Sequence, residues 1–285
     1  MDNGCRKCVY IMLIILAFMY VTVFLVACTG GSMEKEKPSL RSIKSVDDSA
    51  LKRLSGKKIY FGHQSIGSNI LDGIDDVMRD NPKVRLKIRE TENPEDYKAS
   101  ILGHSAIGKN NDPRSKCDHF VELMENGLGG NVEVAFFKFC CVDIMAESNV
   151  TELFSYYKEK MEYIKNKFPE VTFIHVTIPL TIVQSGPKAW IKKMMGLPLG
   201  YYDDNVKRNE YNNMLKKTYS GKEPVFDIAE IQSTLPDGRR VDIEKGGNII
   251  YYLAPQYTND GGHLNDLGRR IVAEQLLITL AELPR

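Results

Sequence analysis

The chain has 285 residues, 43% hydrophobic and 26% charged, enough to enclose one sizeable core and unlike a fibrous or disordered composition. Its 38 lysines and arginines stand against 37 aspartates and glutamates, a balance that excludes the basic footprint of a nucleic-acid binder or of a partner for an acidic polymer. Specificity must then come from a site.

Arg6 and Lys7 precede an apolar run over 9–26 that ends Leu25-Val26-Ala27-Cys28. A charged head, an apolar middle and a small residue before the cut predict a signal peptide over 1–27. Leu-x-Ala-Cys resembles a bacterial lipobox, which implies that Cys28 is the first mature residue and carries lipid. The alternative is an uncleaved signal anchor, because the run reaches the roughly 18 residues at which a spanning helix becomes feasible. Either reading puts the rest of the chain outside the cytoplasm, anchored to a membrane. Residues 28–55 are rich in Gly, Ser, Lys, Glu and Asp and read as a flexible tether. Of the six cysteines, Cys5 and Cys8 fall in the removable segment, leaving Cys117, Cys140 and Cys141 beyond Cys28. An odd number in a long domain is not a disulfide framework, and no Cys or His spacing suits zinc, so no metal or other cofactor is expected.

The domain is expected over 56–285. A β-rich run at 57–61 (KKIYF) leads straight into Ile66, Ile70, Leu71, Ile74, Val77 and Met78 at helical spacing. A second strand is predicted at 84–88, a polar loop over 90–116, and a helix near 118–124. The near-continuous apolar run at 132–141 (VEVAFFKFCC) suits a central strand covered on both faces. A basic amphipathic helix at 153–168, a strand at 171–178, a helix at 206–219 and a fifth strand at 224–228 follow. Residues 181–200 have no place in this alternation and read as an insertion at the mouth of a site. The last helix, with Asn265 as its cap, buries Leu267, Ile271, Val272, Leu276 and Leu280. Alternation of this kind predicts a three-layer α/β/α sandwich around a five-stranded parallel sheet of flavodoxin-like order 2-1-3-4-5. Ligands of such sheets bind beyond the carboxyl ends of the strands.

Two short segments carry chemistry at that edge. Gly62-His63-Gln64-Ser65 stands where the first strand hands over to the first helix, whose unpaired N–H groups favour an oxyanion. Ser65 is a candidate nucleophile, or else only the cap of that helix. Asp260-Gly261-Gly262-His263 precedes the last helix, and two glycines allow a turn in which Asp260 accepts from His263 Nδ1, leaving Nε2 as a base. The alternative is a plain glycine turn with a surface Asp.

Together, a Ser after the first strand and an Asp-x-x-His before the last helix resemble the SGNH (GDSL-like) hydrolases over about 56–285. The resemblance implies that Ser65 attacks an ester carbonyl, that His263 acts as base and then acid, and that a Gly and an Asn from two middle blocks complete the oxyanion hole. The chain departs from the pattern by reading Gly-His-Gln-Ser in the nucleophile block. It departs again at Cys140-Cys141-Val142-Asp143, where the family's Asn is missing. Gly108 or Gly103 could supply the second-block glycine, and Asn110 or Asn111 the lost donor. His63 and His104 could touch substrate or be structural. His175 is expected in the core and His119 on the surface, while Trp190, Tyr201 and Tyr202 could stack on a sugar or pack the insertion down. The function implied is ester hydrolysis, of an acyl or acetyl group on a cell-surface carbohydrate or of a lipid ester. Acyl transfer to a glycan hydroxyl, and a binding lipoprotein without turnover, stand as alternatives.

Overall fold

The computed structural model describes residues 40–284 apart from 185, 196 and 198. The signal peptide, Cys28 and the first part of the expected tether lie outside the described residues, as does the side chain of Trp190.

Residues 40–55 differ from the expected tether. A 3-10 turn at Ile43–Ser45 and helix α1 (Asp48–Ser55) bury Ile43, Leu51 and Leu54, and Asp47 caps α1 by accepting from Ser49 N–H. A few apolar side chains on one helical face suffice to dock a segment whose composition is otherwise polar.

The chain then runs through β1 (Lys58–His63), α2 (Ser65–Asp80), β2 (Ile88–Glu90), β3 (Ile101–Ala106), α3 (Pro113–Glu125), β4 (Val134–Phe137), α4 (Val150–Lys167) and β5 (Thr172–Val176). It continues with α5 (Pro187–Met194), α6 (Tyr202–Tyr219), β6 (Val225–Phe226), α7 (Ile228–Ser233), the hairpin β7 (Asp242–Lys245) and β8 (Asn248–Tyr251), and α8 (Asp266–Ala281). Six strands form one parallel sheet in the order β2-β3-β1-β4-β5-β6. The architecture is the expected α/β/α sandwich, and the strands keep the predicted order, although the second lies at Ile88–Glu90 and overlaps the expected 84–88 only at Ile88. Inserted between the second and the first is β3, in a stretch expected to be loop: Gly103, His104 and Ser105 interrupt its apolar pattern. The sheet is six strands wide rather than five, and β2 keeps the edge position that the predicted order gave it.

Side chains alternate between the two faces. Ile59 and Phe61 of β1, Val134 and Phe136 of β4 and Ile174 of β5 join one core with α1, α2, α7 and α8. Tyr60, Ala135, Phe137 and Phe173 join the other with α3, α4 and α6. Helices α2 and α8 approach closely because residue 73 is glycine: a Cβ there would lie 2.3 Å from the Arg269 carbonyl oxygen. Arg269 Nε donates to Asp76 Oδ2 across the same contact at 2.9 Å. This parallel pairing puts the N-terminal ends of both helices at the carboxyl edge of the sheet.

Candidate active site

Ser65 is the first residue of α2 and is exposed, while the cap position belongs to Gln64. The Gln64 side chain leaves the helix and donates to the Ile107 and Gly108 carbonyls at 2.9 and 3.1 Å, tying the turn of Ser65 to the loop after β3. Beneath that turn lies His63. A Cβ on Gly67 would fall 2.2 Å from His63 Cγ, so glycine at 67 lets the first turn of α2 rest on the imidazole.

At the start of α8, Asp260 Oδ2 accepts from His263 Nδ1 at 2.7 Å, and its Oδ1 accepts from Gly262 N–H at 2.9 Å and His263 N–H at 2.8 Å. The turn depends on Gly261, whose φ of +93° favours a residue without a Cβ. The Gly262 N–H and then the His263 side chain hold the Asp260 carboxyl well below the usual carboxylate range. An ionised carboxylate only accepts, so Nδ1 carries the proton and the lone pair is on Nε2. Asn265 caps α8 as expected, accepting from Gly268 N–H at 3.0 Å.

The two halves meet through Asn69, one helical turn beyond Ser65, whose Oδ1 accepts from Leu264 N–H at 3.3 Å. The structure thus pairs Asp260 with His263 and sets the first turns of α2 beside that pair. Among the described residues no hydrogen bond joins the Ser65 hydroxyl to His263.

The other sequence candidates divide. Gly103 is a packing residue inside β3, where a Cβ would lie 1.9 Å from the Tyr97 hydroxyl. Gly108, at φ +50°, backs onto Lys116, and its N–H donates to His119 Nδ1 at 3.1 Å, so His119 supports this loop from a partly buried position. Asn110 Oδ1 accepts from Lys116 Nζ at 3.0 Å, and Asn111 N–H donates to Asp143 Oδ1 at 3.0 Å. His175 is core, as expected, held between the Tyr157 hydroxyl and Glu223. Tyr202 is buried and Tyr201 exposed.

His63 and His104 share a contact that neither local pattern suggests, His63 Nε2 to His104 Nδ1 at 3.1 Å. His63 Nδ1 lies 3.1 Å from the Gln64 carbonyl, which can only accept, so that nitrogen is the protonated one. Burial pushes the His63 pKa down to about 4, so the ring is neutral near pH 7 and His104 Nδ1 donates to it. Sequence reasoning also passed over Lys138, absorbed into an apolar strand although a lysine between Phe137 and Phe139 is itself a signal; it is 1% exposed.

No family model and no curated protein matches the chain. Solved structures do. A GDSL-like lipase from Bacteroides thetaiotaomicron is 15% identical over 80% of this chain and 87% of its own, with TM-score 0.47. Other solved structures match as well. They include a family 3 carbohydrate esterase from Clostridium thermocellum, 14% identical over 77% of this chain and 92% of that one, TM-score 0.40. The periplasmic domain of a lipopolysaccharide acetyltransferase from Salmonella ser. Paratyphi A is 11% identical over 81% and 88%, TM-score 0.43.

Proposed function

We propose that the chain is a serine ester hydrolase that cleaves an acyl or acetyl ester on a cell-surface carbohydrate or lipid, with Ser65, His263 and Asp260 as its catalytic unit. What supports the reading is the 2.7 Å contact from His263 Nδ1 to an ionised Asp260, made beside the helix turn that carries Ser65. That contact leaves Nε2 as the free base. His263 Nε2 takes the Ser65 proton as Oγ bonds to the carbonyl carbon, and the displaced pair moves onto the carbonyl oxygen. When the pair returns, the C–O bond to the alcohol breaks and His263 gives that oxygen its proton. Water, deprotonated by the same nitrogen, then releases the acid and restores Ser65. A hydroxyl-to-imidazole separation looser than a hydrogen bond is common before substrate binds. Gly108 and Asn110 belong to the proposal as residues of the substrate-facing loop.

A fluorophosphonate probe tests the reading. Peptide mapping is expected to find the label on Ser65 and to lose it in His263→Ala, whereas folded protein that takes no label would be a binder and not an esterase.

The proposal extends to location: an exported lipoprotein held on the extracytoplasmic side through Cys28. Mass spectrometry of membrane-extracted protein is expected to show an acylated Cys28 at the mature N-terminus. An intact Met1 would overturn it.

A further inference from the structure

The oxyanion of an ester hydrolase requires donors beyond the helix turn that carries the nucleophile, and here the segment after β4 offers no asparagine. It offers a buried amine. Lys138 follows β4 directly, and its backbone N–H donates to the Gly62 carbonyl at 3.1 Å. The register that pairs Gly62 with Phe137 continues to His63 and Lys138, on the face where α2 rests. Lys138 therefore lies alongside His63, the residue on which the first turn of α2 rests, at the carboxyl edge of the sheet.

Its side chain is under-bonded. The three N–H donors of Nζ reach only the Phe139 carbonyl at 3.4 Å, long for a charged donor, and Cys140 Sγ at 3.6 Å, a weak acceptor. Lys116 makes the contrast, because it is equally buried yet is held by Asp143 Oδ2 at 2.5 Å and Asn110 Oδ1 at 3.0 Å. The second amine is thus a structural ion pair and the first is not. Burial pushes the Lys138 pKa down, with Lys116 adding to the effect and Cys140, Cys141 and Asp143 opposing it. A buried amine without close partners is costly to charge, and groups perturbed in this way cluster at functional sites.

We infer that Lys138 Nζ is the side-chain donor to the oxyanion that forms when Ser65 attacks an ester carbonyl, in the role the missing amide would fill. The inference rests on the reading of Ser65 as nucleophile. Lys138 transfers no proton: its N–H meets the carbonyl oxygen as the electron pair arrives and releases it when the pair returns to expel the alcohol. Of the other groups in reach, the Gly108 N–H already serves His119, while the first N–H groups of α2 are those a helix leaves unpaired.

The experiment uses the wild-type chain carrying an ethyl fluorophosphonate adduct. In a crystal structure of the Ser65 adduct, the phosphonyl oxygen is expected within about 3.2 Å of Lys138 Nζ. An adduct whose phosphonyl oxygen lies beyond about 4 Å from Nζ overturns the assignment to Lys138 while leaving Ser65 as nucleophile. Absence of any adduct at Ser65 removes the esterase reading and this inference with it. Kinetics give a second measure that separates catalysis from packing. Lys138→Met is expected to lower kcat on 4-nitrophenyl acetate by about 10² to 10³-fold with little change in KM, and Lys138→Gln, which restores a donor, to recover at least about tenfold. Equal losses in both variants, or a Met variant within about threefold of wild type, would overturn it.

Discussion

Replacing Ser65 by alanine is expected to lower kcat on a simple aryl acetate by about 10⁴ to 10⁶-fold, and adding His263→Ala to that variant is expected to cost almost nothing further. Each residue acts only through the other, since the imidazole has no proton to take without the hydroxyl and the hydroxyl is a weak nucleophile without the base. Asp260→Asn has a different character. The Asn oxygen can still accept from the Gly262 and His263 N–H groups, so the turn survives. Its amide would face Nδ1 as a donor, which forces the ring proton onto Nε2 and removes the base. A loss of about 10³ to 10⁴-fold is expected, milder than at Ser65. Because the native carboxyl is held below its usual range, its orienting charge is present above that range and is lost only as the pH falls through the depressed value. Single-turnover rates of the three single variants and the Ser65/His263 double decide the matter. Multiplicative losses in the double would mean that the two residues do not form one unit.

The legible parts of this chain were those whose physics is local. Strands β1, β4 and β5 lie in the centre of the sheet and are covered on both faces, so they stand out as apolar runs. The Asp260-to-His263 contact spans three residues and one glycine turn, and the cap at Asn265 spans three more. Strand β3 was not legible because it carries Gly103 to make room for Tyr97 and His104 to meet His63. Neither requirement is visible until the sheet is assembled. Helix α1 was hidden for the opposite reason, its few apolar residues being diluted by charges that face solvent. In the candidate site, the ties of Gln64 to the loop after β3 and of His63 to His104 join residues about forty positions apart, and composition carries no trace of them. Nor does it show that the two buried lysines are bonded so differently, although Lys138, set between two phenylalanines, is itself a signal of burial.

That difference underlies the largest expected effect on stability, at Asp143. Its side chain and that of Lys116 are both fully buried. Asp143 Oδ2 accepts from Lys116 Nζ at 2.5 Å and from Cys140 N–H at 2.6 Å, and Oδ1 from Asn111 N–H at 3.0 Å. Asp143→Ala would strand a buried ammonium on a single amide oxygen and leave two backbone donors unpaired. A loss of about 3 to 5 kcal/mol in unfolding free energy is expected, read from urea transitions of the protein. The control is the Lys116→Met, Asp143→Leu pair. With both charges replaced by apolar groups, the Cys140 and Asn111 N–H groups lose their acceptor, at about 1 to 3 kcal/mol each, and Asn110 Oδ1, on an exposed residue, loses the Lys116 donor. The double variant is therefore expected to be more stable than Asp143→Ala alone, although it carries one more substitution. A double variant less stable than Asp143→Ala would show that the carboxylate matters as an acceptor for the backbone rather than as a counter-charge. In either case the clamp joins the loop of Gly108 and Asn110 to the segment after β4, so Asp143→Ala should also slow Ser65 labelling in the protein that remains folded.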